Sequence, residues 1–180
     1  MEPIKIKGIV IRTTDVGDYN KMLTVLSPGM GKISVWAKKI KSPKNPMSAG
    51  ANLLCYDEMV LNHKGDTYSL TSCSVIESFY GLRDDITKLS LGVYMADLAA
   101  LVCDEGITAH EAVRLLLNSL HFAEKNKKPL LEIKTMFEMR LMACVGYMPE
   151  IEECMACGEE GQYFDIYEGG ILCGACRSEN

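Results

Sequence analysis

The chain has 180 residues, of which 48% are hydrophobic and 24% are charged, an ordinary composition for a globular protein of one large or two small domains. No run of eighteen apolar residues occurs, which excludes an ordinary membrane-spanning helix. The N-terminus has no basic segment followed by an apolar one, so we expect no signal peptide. Eight cysteines without such a signal favour a reducing compartment and a cytoplasmic protein.

The charge is distributed unevenly along the chain, although the net charge is only −5. Residues 1–48 contain nine Lys and Arg against three acidic residues, a net of +6, whereas residues 81–180 contain nine against seventeen, a net of −8. A basic N-terminal part followed by an acidic C-terminal part indicates that one face meets a polyanion and another face meets a different partner. Ordinary surface variation is the alternative that charge alone leaves open.

Five short strands are predicted in the first 75 residues, at positions 4–11, 22–26, 32–38, 53–61 and 67–74. Turns separate them at 15–18, 27–31 and 64–66, and a loop rich in Pro and Lys occupies 39–46. Short strands with frequent turns are typical of a small antiparallel barrel. An OB-type barrel is the leading prediction, although an SH3-like barrel has a similar pattern.

After residue 78 the apolar residues follow the period of a helix. Residues 86–102 are apolar on most sides, which predicts a central, buried helix. Thr108 and Glu111 have the spacing of a capping box that opens a second helix, and Pro129 begins a third helix that Gly146 ends. The predicted fold class is α+β: an OB-type nucleic-acid-binding barrel at residues 1–79, a helical domain at 80–149 and a four-cysteine zinc module at 150–180.

The C-terminal thirty residues contain the most specific motif of the chain. Cys154-Met-Ala-Cys157 and Cys173-Gly-Ala-Cys176 are two C-x-x-C pairs fifteen residues apart, the spacing of a four-thiolate zinc site. Gly158 can take the positive φ that a turn after the first pair favours. Residues 163–167 and 171–172 are predicted strands of a hairpin that brings the second pair back to the first.

We expect one structural Zn²⁺, because cysteine fills all four positions and none is left open for water or substrate. A dithiol redox pair is the alternative. One pair would suffice for redox chemistry, no cationic group lowers the thiol pKa, and the surrounding glutamates disfavour thiolates without a cation.

The third predicted strand carries an aromatic ring among lysines. Period-2 counting places Ile33 and Val35 on one face and Trp36 on the other. A ring flanked by lysines suits single-stranded nucleic acid, because bases stack on it and phosphates meet the cations; a core position under the next loop is equally consistent with the pattern. The predicted nucleic-acid-binding residues are Arg12, Lys21, Lys32, Trp36, Lys38, Lys39, Lys41 and Lys44.

We find no catalytic constellation in the sequence. The three histidines, His63, His110 and His121, have no Cys or Asp partner at a suggestive spacing, and the chain has no Gly-rich phosphate loop. The sequence therefore gives no sign of an enzyme.

The order of these parts resembles the RecO family of bacterial recombination mediators. The residues that carry the likeness run nearly from end to end: 8–15, 21–26, 31–34, 37–39, 77–84, 137–149 and the four cysteines. The family's zinc ligands correspond to those cysteines, and its basic OB positions correspond to Arg12, Lys38 and Lys39. Family members usually continue with further helices, so the resemblance implies a short form.

The resemblance implies a non-enzymatic role in bacterial DNA repair. It implies binding of single- and double-stranded DNA, annealing of complementary strands, and action with RecR to load RecA onto DNA coated by single-strand-binding protein, close to the nucleoid. Two alternatives stay open, namely a zinc-braced OB protein that only binds other proteins, and an RNA-binding module.

Overall fold

A computed structural model of the chain describes residues 3–42, 44–64 and 67–177. Five strands form the N-terminal part: β1 (Ile4–Val16), β2 (Asn20–Ser27), β3 (Gly31–Ala37), β4 (Tyr56–Lys64) and β5 (Thr67–Glu77). The middle of the predicted turn at 64–66, and Pro43 in the lysine-rich loop, lie outside the described residues. The other four strands begin or end up to three residues from their predicted bounds, but β1 extends five residues beyond its prediction.

The strands close into a barrel in the order β1-β2-β3-β5-β4. Strands β3 and β5 run parallel, at Val35 and Trp36, and the other pairs are antiparallel. This order with a parallel β3–β5 pair is that of an OB fold and confirms the predicted OB-type barrel over the SH3-like alternative. Strand β1 is long because its first half pairs with β4 and its second half pairs with β2.

Two apolar clusters hold this part of the chain together. One fills the barrel with inward residues such as Leu23, Val35 and Met59. The other joins the outside of the barrel to the helices that follow, through residues such as Ile9 and Leu26. The barrel and helices therefore belong to one compact unit, Met1–Leu141, and the remainder of the chain, Met142–Asn180, forms a second unit.

Helices follow a short 3-10 turn at Tyr80–Asp84: α1 (Ile86–Val102), α2 (His110–Glu124) and α3 (Leu130–Cys144). Helix α1 has the predicted bounds, and the Asp85 carboxylate caps its start by accepting the backbone N–H groups of Thr87 and Lys88. Gly146 follows α3 with the positive φ expected of a residue that ends a helix, 83°. Within the described chain, no helix has both the length and the apolar character needed to cross a membrane.

The capping box predicted at Thr108 and Glu111 is wrong. Helix α2 begins at His110, its N-cap residue is Ala109, and no side chain caps it. The reason is tertiary: the Ala109 N–H donates to the Pro28 carbonyl at 2.8 Å, which holds the segment before α2 against the turn between β2 and β3. Thr108 therefore precedes the helix and does not cap it.

Asp57 is a buried carboxylate inside the barrel. It is 0% exposed, and neither of its oxygens has a hydrogen-bond partner among the described residues. Its neighbours include Gly50 and Cys73, since a Cβ built on Gly50 would lie 2.6 Å from Asp57 Oδ1 and 2.8 Å from Cys73 Sγ. Burial raises the pKa of Asp57 from 3.8 to about 7.

We expect Asp57→Asn to remove a pH-dependent part of the stability. Because the folded pKa is raised, the contribution of Asp57 is fully present below its unfolded pKa and is lost as the pH rises through about 7. Relative to the variant, the native chain should lose about 2–3 kcal/mol of unfolding free energy between pH 5 and pH 8. Urea unfolding across this pH range measures the difference.

Asp18→Asn is the matched control, because Asp18 is an exposed Asp in the turn between β1 and β2. Its stability profile should run parallel to that of the native chain. A parallel profile for Asp57→Asn as well would contradict the assignment of a raised pKa to Asp57.

The second unit contains three short strands and one helical turn: β6 (Glu150–Cys154), β7 (Tyr163–Asp165), β8 (Gly170–Leu172) and α4 (Gly174–Arg177). Strand β8 lies between the other two, parallel to β6 and antiparallel to β7. The predicted hairpin is thus present, but its first strand ends at Asp165, and Ile166 and Tyr167 lie in the turn.

Candidate nucleic-acid interface and metal centre

The outer face of β1, β2 and β3 carries the aromatic residue predicted to meet nucleic acid. In β3 the inward residues Ile33, Val35 and Ala37 are buried, while Ser34 is exposed and Trp36 is half-buried. The predicted separation of the two faces is therefore confirmed, and Trp36 lies on the outer one. Its role in base stacking stays a prediction.

The strand register places other outward residues beside Trp36. Met22 on β2 pairs with Trp36 and with Thr14 on β1, and Ser69 on β5 lies on the other side of Trp36. The next row along the same face joins Arg12, Thr24 and Ser34. We call these two rows the sheet face; they combine a large ring, a methionine, hydroxyl groups and one guanidinium.

Two of the predicted cations lie at the end of the sheet face that is nearest α1. Arg12 forms an ion pair with Asp97 of α1, with a guanidinium-to-carboxylate distance of 3.0 Å. Lys32 is half-buried, and its Nζ donates to the Ala100 carbonyl in the last turn of α1 at 2.6 Å. These two cations line a cleft of about 580 Å³ together with Ser34, Asp97 and Leu101.

The other five predicted cations lie toward the opposite end of β3 and on the loop that follows it. Lys38, Lys39 and Lys44 are exposed, while Lys21 is half-buried. Lys41 pairs with Asp15 at 2.9 Å, and this hydrogen bond holds the pKa of Asp15 below its usual value. We call Lys38, Lys39, Lys41 and Lys44 the lysine loop.

Backbone contacts fix the start of the lysine loop. Lys39 has a φ of 52°, and its N–H donates to Asn20 Oδ1 at 2.9 Å. The Lys41 N–H donates to the Tyr19 carbonyl at 3.0 Å. The backbone at Lys39 and Lys41 is therefore held beside the turn between β1 and β2.

Two residues of this region are not among those predicted from the sequence to bind nucleic acid. Tyr19 is 60% exposed in the turn between β1 and β2, and Met22 is the direct neighbour of Trp36. A tyrosine at the tip of a predicted hairpin is a usable signal in the sequence, because loops of OB barrels contribute aromatic residues to nucleic-acid sites. Met22 lies in the apolar strand predicted at residues 22–26, and nothing in that pattern indicates that its side chain faces outward.

The four cysteines of the second unit converge on one point. The Sγ atoms of Cys154, Cys157, Cys173 and Cys176 all lie within 4.8 Å of one another, and none of the four forms a disulfide. Cys157 and Cys173, which belong to different pairs, have sulfurs 3.7 Å apart. Sulfurs from both pairs thus gather at one site, which a two-cysteine redox centre does not require.

Local structure holds each cysteine pair in a tight turn. Cys154 ends β6, and its carbonyl accepts the N–H of Gly158 at 2.8 Å; Gly158 has the predicted positive φ, 75°. Cys173 follows β8, and its Sγ accepts the N–H of Cys176 at 3.5 Å. The short sheet brings both turns to the same edge.

The thiols favour a bound cation. A backbone hydrogen bond from Cys173 lowers the pKa of Cys154 to about 6, and one from Cys176 lowers the pKa of Cys173. Hydrogen bonding to the neighbouring Cys173 and Cys157 sulfurs raises the pKa of Cys176 to about 12. Four thiolates this close repel one another unless a cation lies between them. The residues therefore fit a metal ion, which would join the two turns.

Comparison with known proteins agrees with this architecture. Residues 1–79 match the family model described as "Recombination protein O N terminal", and residues 83–180 match "Recombination protein O C terminal". A DNA repair protein RecO of Acetivibrio thermocellus is 38% identical over 179 residues, which cover 98% of this chain and 71% of that protein. Those of Caldicellulosiruptor bescii and Alkaliphilus metalliredigens are each 32% identical and cover 100% and 97% of this chain and 75% and 72% of their own lengths. The chain belongs to the RecO family.

Proposed function

We propose that this protein is a DNA-binding mediator of DNA repair and recombination and does no chemistry of its own. It binds single- and double-stranded DNA, anneals complementary strands and, with RecR, helps to load RecA onto DNA coated by single-strand-binding protein. This places it at the nucleoid, in the bacterial cytoplasm. Membership of a family whose similar members are named DNA repair proteins supports the role.

The observation that carries the proposal is the juxtaposition of the sheet face and the lysine loop. Trp36 and Met22 provide an apolar platform, the exposed Lys38 and Lys39 come directly after the strand that carries Trp36, and Lys44 is exposed later in the same loop. Base stacking on an aromatic ring contributes about 1–3 kcal/mol per base. Lysines that neutralise phosphates release counterions, which makes such binding depend on salt.

We assign the second unit a structural role in this function. One Zn²⁺ is the ion that best suits four cysteine ligands, and it leaves the site with a net charge of −2. Exposed glutamates of residues 150–160 add negative charge. Phosphate is therefore repelled from residues 150–180, so DNA binds at residues 1–79, and the helices of residues 80–149 support the barrel.

Reversing the charge of the exposed lysines should weaken DNA binding strongly. In the triple variant Lys38→Glu, Lys39→Glu and Lys44→Glu, the log–log slope of affinity for a fluorescent single-stranded oligonucleotide against salt should fall by about 2, since each phosphate contact contributes roughly 0.7. Fluorescence anisotropy across a salt series measures both affinity and slope. Circular dichroism and metal content should not change.

The control carries the same change in net charge on other parts of the chain: Lys7→Glu, Lys127→Glu and Arg140→Glu, all at exposed positions. It should keep most of the affinity of the native chain. An equal loss of DNA affinity in both triple variants would mean that the lysine loop acts only through the net charge of the protein and is not a specific DNA contact. Unaltered binding after reversal of the lysine loop contradicts the proposed interface and favours a protein scaffold, while a strong preference for RNA oligonucleotides favours an RNA-binding module.

A further inference from the structure

Acceptor groups of helix α1 contact the two cations at one end of the sheet face. The Arg12 guanidinium lies 3.0 Å from the Asp97 carboxylate, and the Lys32 ammonium lies 2.6 Å from the Ala100 carbonyl. At the other end of the same face, Lys38 and Lys39 are exposed. The sheet face therefore has cations at both ends, but those beside α1 are engaged by groups of the protein itself.

The two contacts differ in how readily they exchange. The last carbonyl groups of a helix have no partners within it, and the last turn of α1 contains no basic residue. Lys32 supplies that missing cation from β3, and it is half-buried there, so its contact is part of the fold. Arg12 and Asp97 are different, because their side chains are 65% and 50% exposed. Exposed ion pairs are weak, so another anion can displace Asp97.

A phosphate group is well suited to make that displacement. Like a carboxylate, it offers two oxygens to the planar guanidinium, and it bears at least as much negative charge. Arg12 lies one row from Trp36 and two strands away from it, because β2 separates β1 from β3. One row corresponds to roughly 7 Å along the strands and two strand spacings to roughly 10 Å, so the two backbone positions are roughly 12 Å apart, which a long arginine side chain and a flexible DNA backbone can span. A DNA strand whose base stacks on Trp36 therefore has a neighbouring phosphate within reach of Arg12.

We infer that Arg12 is a phosphate subsite of the DNA interface and that Asp97 is its built-in competitor. The inference rests on the proposed function and deepens it. In the free protein, Asp97 occupies the guanidinium. DNA engages Trp36 and the lysine loop first, and it gains the Arg12 contact only by displacing Asp97. Asp97 thereby lowers the affinity for strands that reach Arg12 and leaves unchanged the affinity for shorter strands that contact only Trp36 and the lysine loop.

The test is a double-mutant cycle between Asp97→Asn and Arg12→Gln, with a fluorescent 15-residue oligo-dT as the probe. Asp97→Asn should bind this probe about three- to tenfold more tightly than the native chain, because the Arg12 guanidinium then meets a phosphate without the loss of an ion pair. In the Arg12→Gln background the same substitution should have no effect, because the group for which Asp97 competes is absent.

Asp104→Asn is the matched control, because it removes an exposed negative charge just beyond α1 without touching Arg12. It should change affinity much less than Asp97→Asn. An equal gain from Asp97→Asn in both Arg12 backgrounds overturns the inference, because the effect would then be general charge. An unchanged affinity of Asp97→Asn, together with loss of binding on reversal of Lys38, Lys39 and Lys44, also overturns it but leaves the proposed function standing. Failure of the native chain to bind DNA at low salt overturns both.

Discussion

Removal of the metal is expected to unfold the C-terminal unit and to leave the barrel and its helices folded. The two units differ in what stabilises them. Residues 3–141 are held by two extensive apolar clusters, whereas the buried apolar side chains described after residue 141 are Cys154 and Leu172 alone. Segments shorter than about 40 residues rarely fold without a disulfide or a metal.

With the proposed zinc bound, the free energy of metal binding would be most of what holds the second unit together. Binding of Zn²⁺ to such sites contributes about 10–16 kcal/mol, as much as the whole stability of a typical domain, which is about 5–15 kcal/mol. Mass spectrometry of the native chain should find one zinc per molecule. After chelation, ¹⁵N-labelled protein should lose the dispersed amide resonances of residues 150–177, while those of the barrel keep their positions.

A pair of cysteine variants separates the metal site from thiol chemistry in general. Cys173→Ser should reproduce the effect of the chelator, since it removes one of four ligands. Cys144→Ser removes an exposed thiol outside the quartet and should retain both the zinc and the dispersed resonances. If the second unit kept its resonances without metal, or if the purified chain held none, the structural role of Zn²⁺ would be wrong.

Features that depend on local spacing could be predicted from the sequence. The cysteine quartet is an example, because a hairpin that joins two C-x-x-C pairs brings all four sulfurs close together. Helix α1 is another, since the largely apolar run at residues 86–102 predicts the bounds that the helix has. The inward and outward faces of β3 also follow from alternation alone, which is why the position of Trp36 was predictable but its partners were not.

Features that depend on tertiary contacts could not be predicted in this way. Thr108 and Glu111 have the spacing of a capping box, yet the hydrogen bond between Ala109 and Pro28, 81 positions apart, decides where α2 begins. In the same way, Arg12 and Lys32 read as free cations because the acid and the carbonyl that engage them lie on a helix far along the chain. A one-dimensional charge count cannot distinguish such cations from the exposed Lys38 and Lys39.

Substitution of Gly31 by alanine is expected to destabilise the barrel and helices by at least about 3 kcal/mol, which is a large fraction of the stability of a typical domain. Gly31 has a φ of 68°, a conformation that costs an alanine about 1–2 kcal/mol. A Cβ at this position would also lie 2.0 Å from the Asp104 carbonyl oxygen and 2.5 Å from that of Ile107. Both are backbone atoms, so relief requires the whole segment to move.

Movement of that segment would break the contacts that join the turn between β2 and β3 to the start of α2. The Lys32 N–H donates to the Asp104 carbonyl at 3.3 Å, and the Gly106 N–H donates to the Met30 carbonyl at 3.0 Å. The same displacement would pull Lys32 from the end of α1. Urea unfolding monitored by circular dichroism should therefore show a large drop in the midpoint for Gly31→Ala.

Alanine substitutions at two neighbouring glycines separate the two causes of the expected loss of stability, which are the positive φ and the steric clash. Gly106 has a φ of 76° with nothing within 4 Å of an added Cβ, so Gly106→Ala should show the conformational strain alone, about 1 kcal/mol. Gly29 has neither a positive φ nor a close neighbour, so Gly29→Ala should be nearly neutral. If Gly31→Ala lost no more stability than Gly106→Ala, the close approach of the 104–107 backbone to this turn would not contribute to stability. We expect the loss of stability to be largest for Gly31→Ala, smaller for Gly106→Ala and smallest for Gly29→Ala. In that case the close packing of the 104–107 backbone on Gly31 is the contact that holds the start of β3, and with it the cations of the sheet face, against α1.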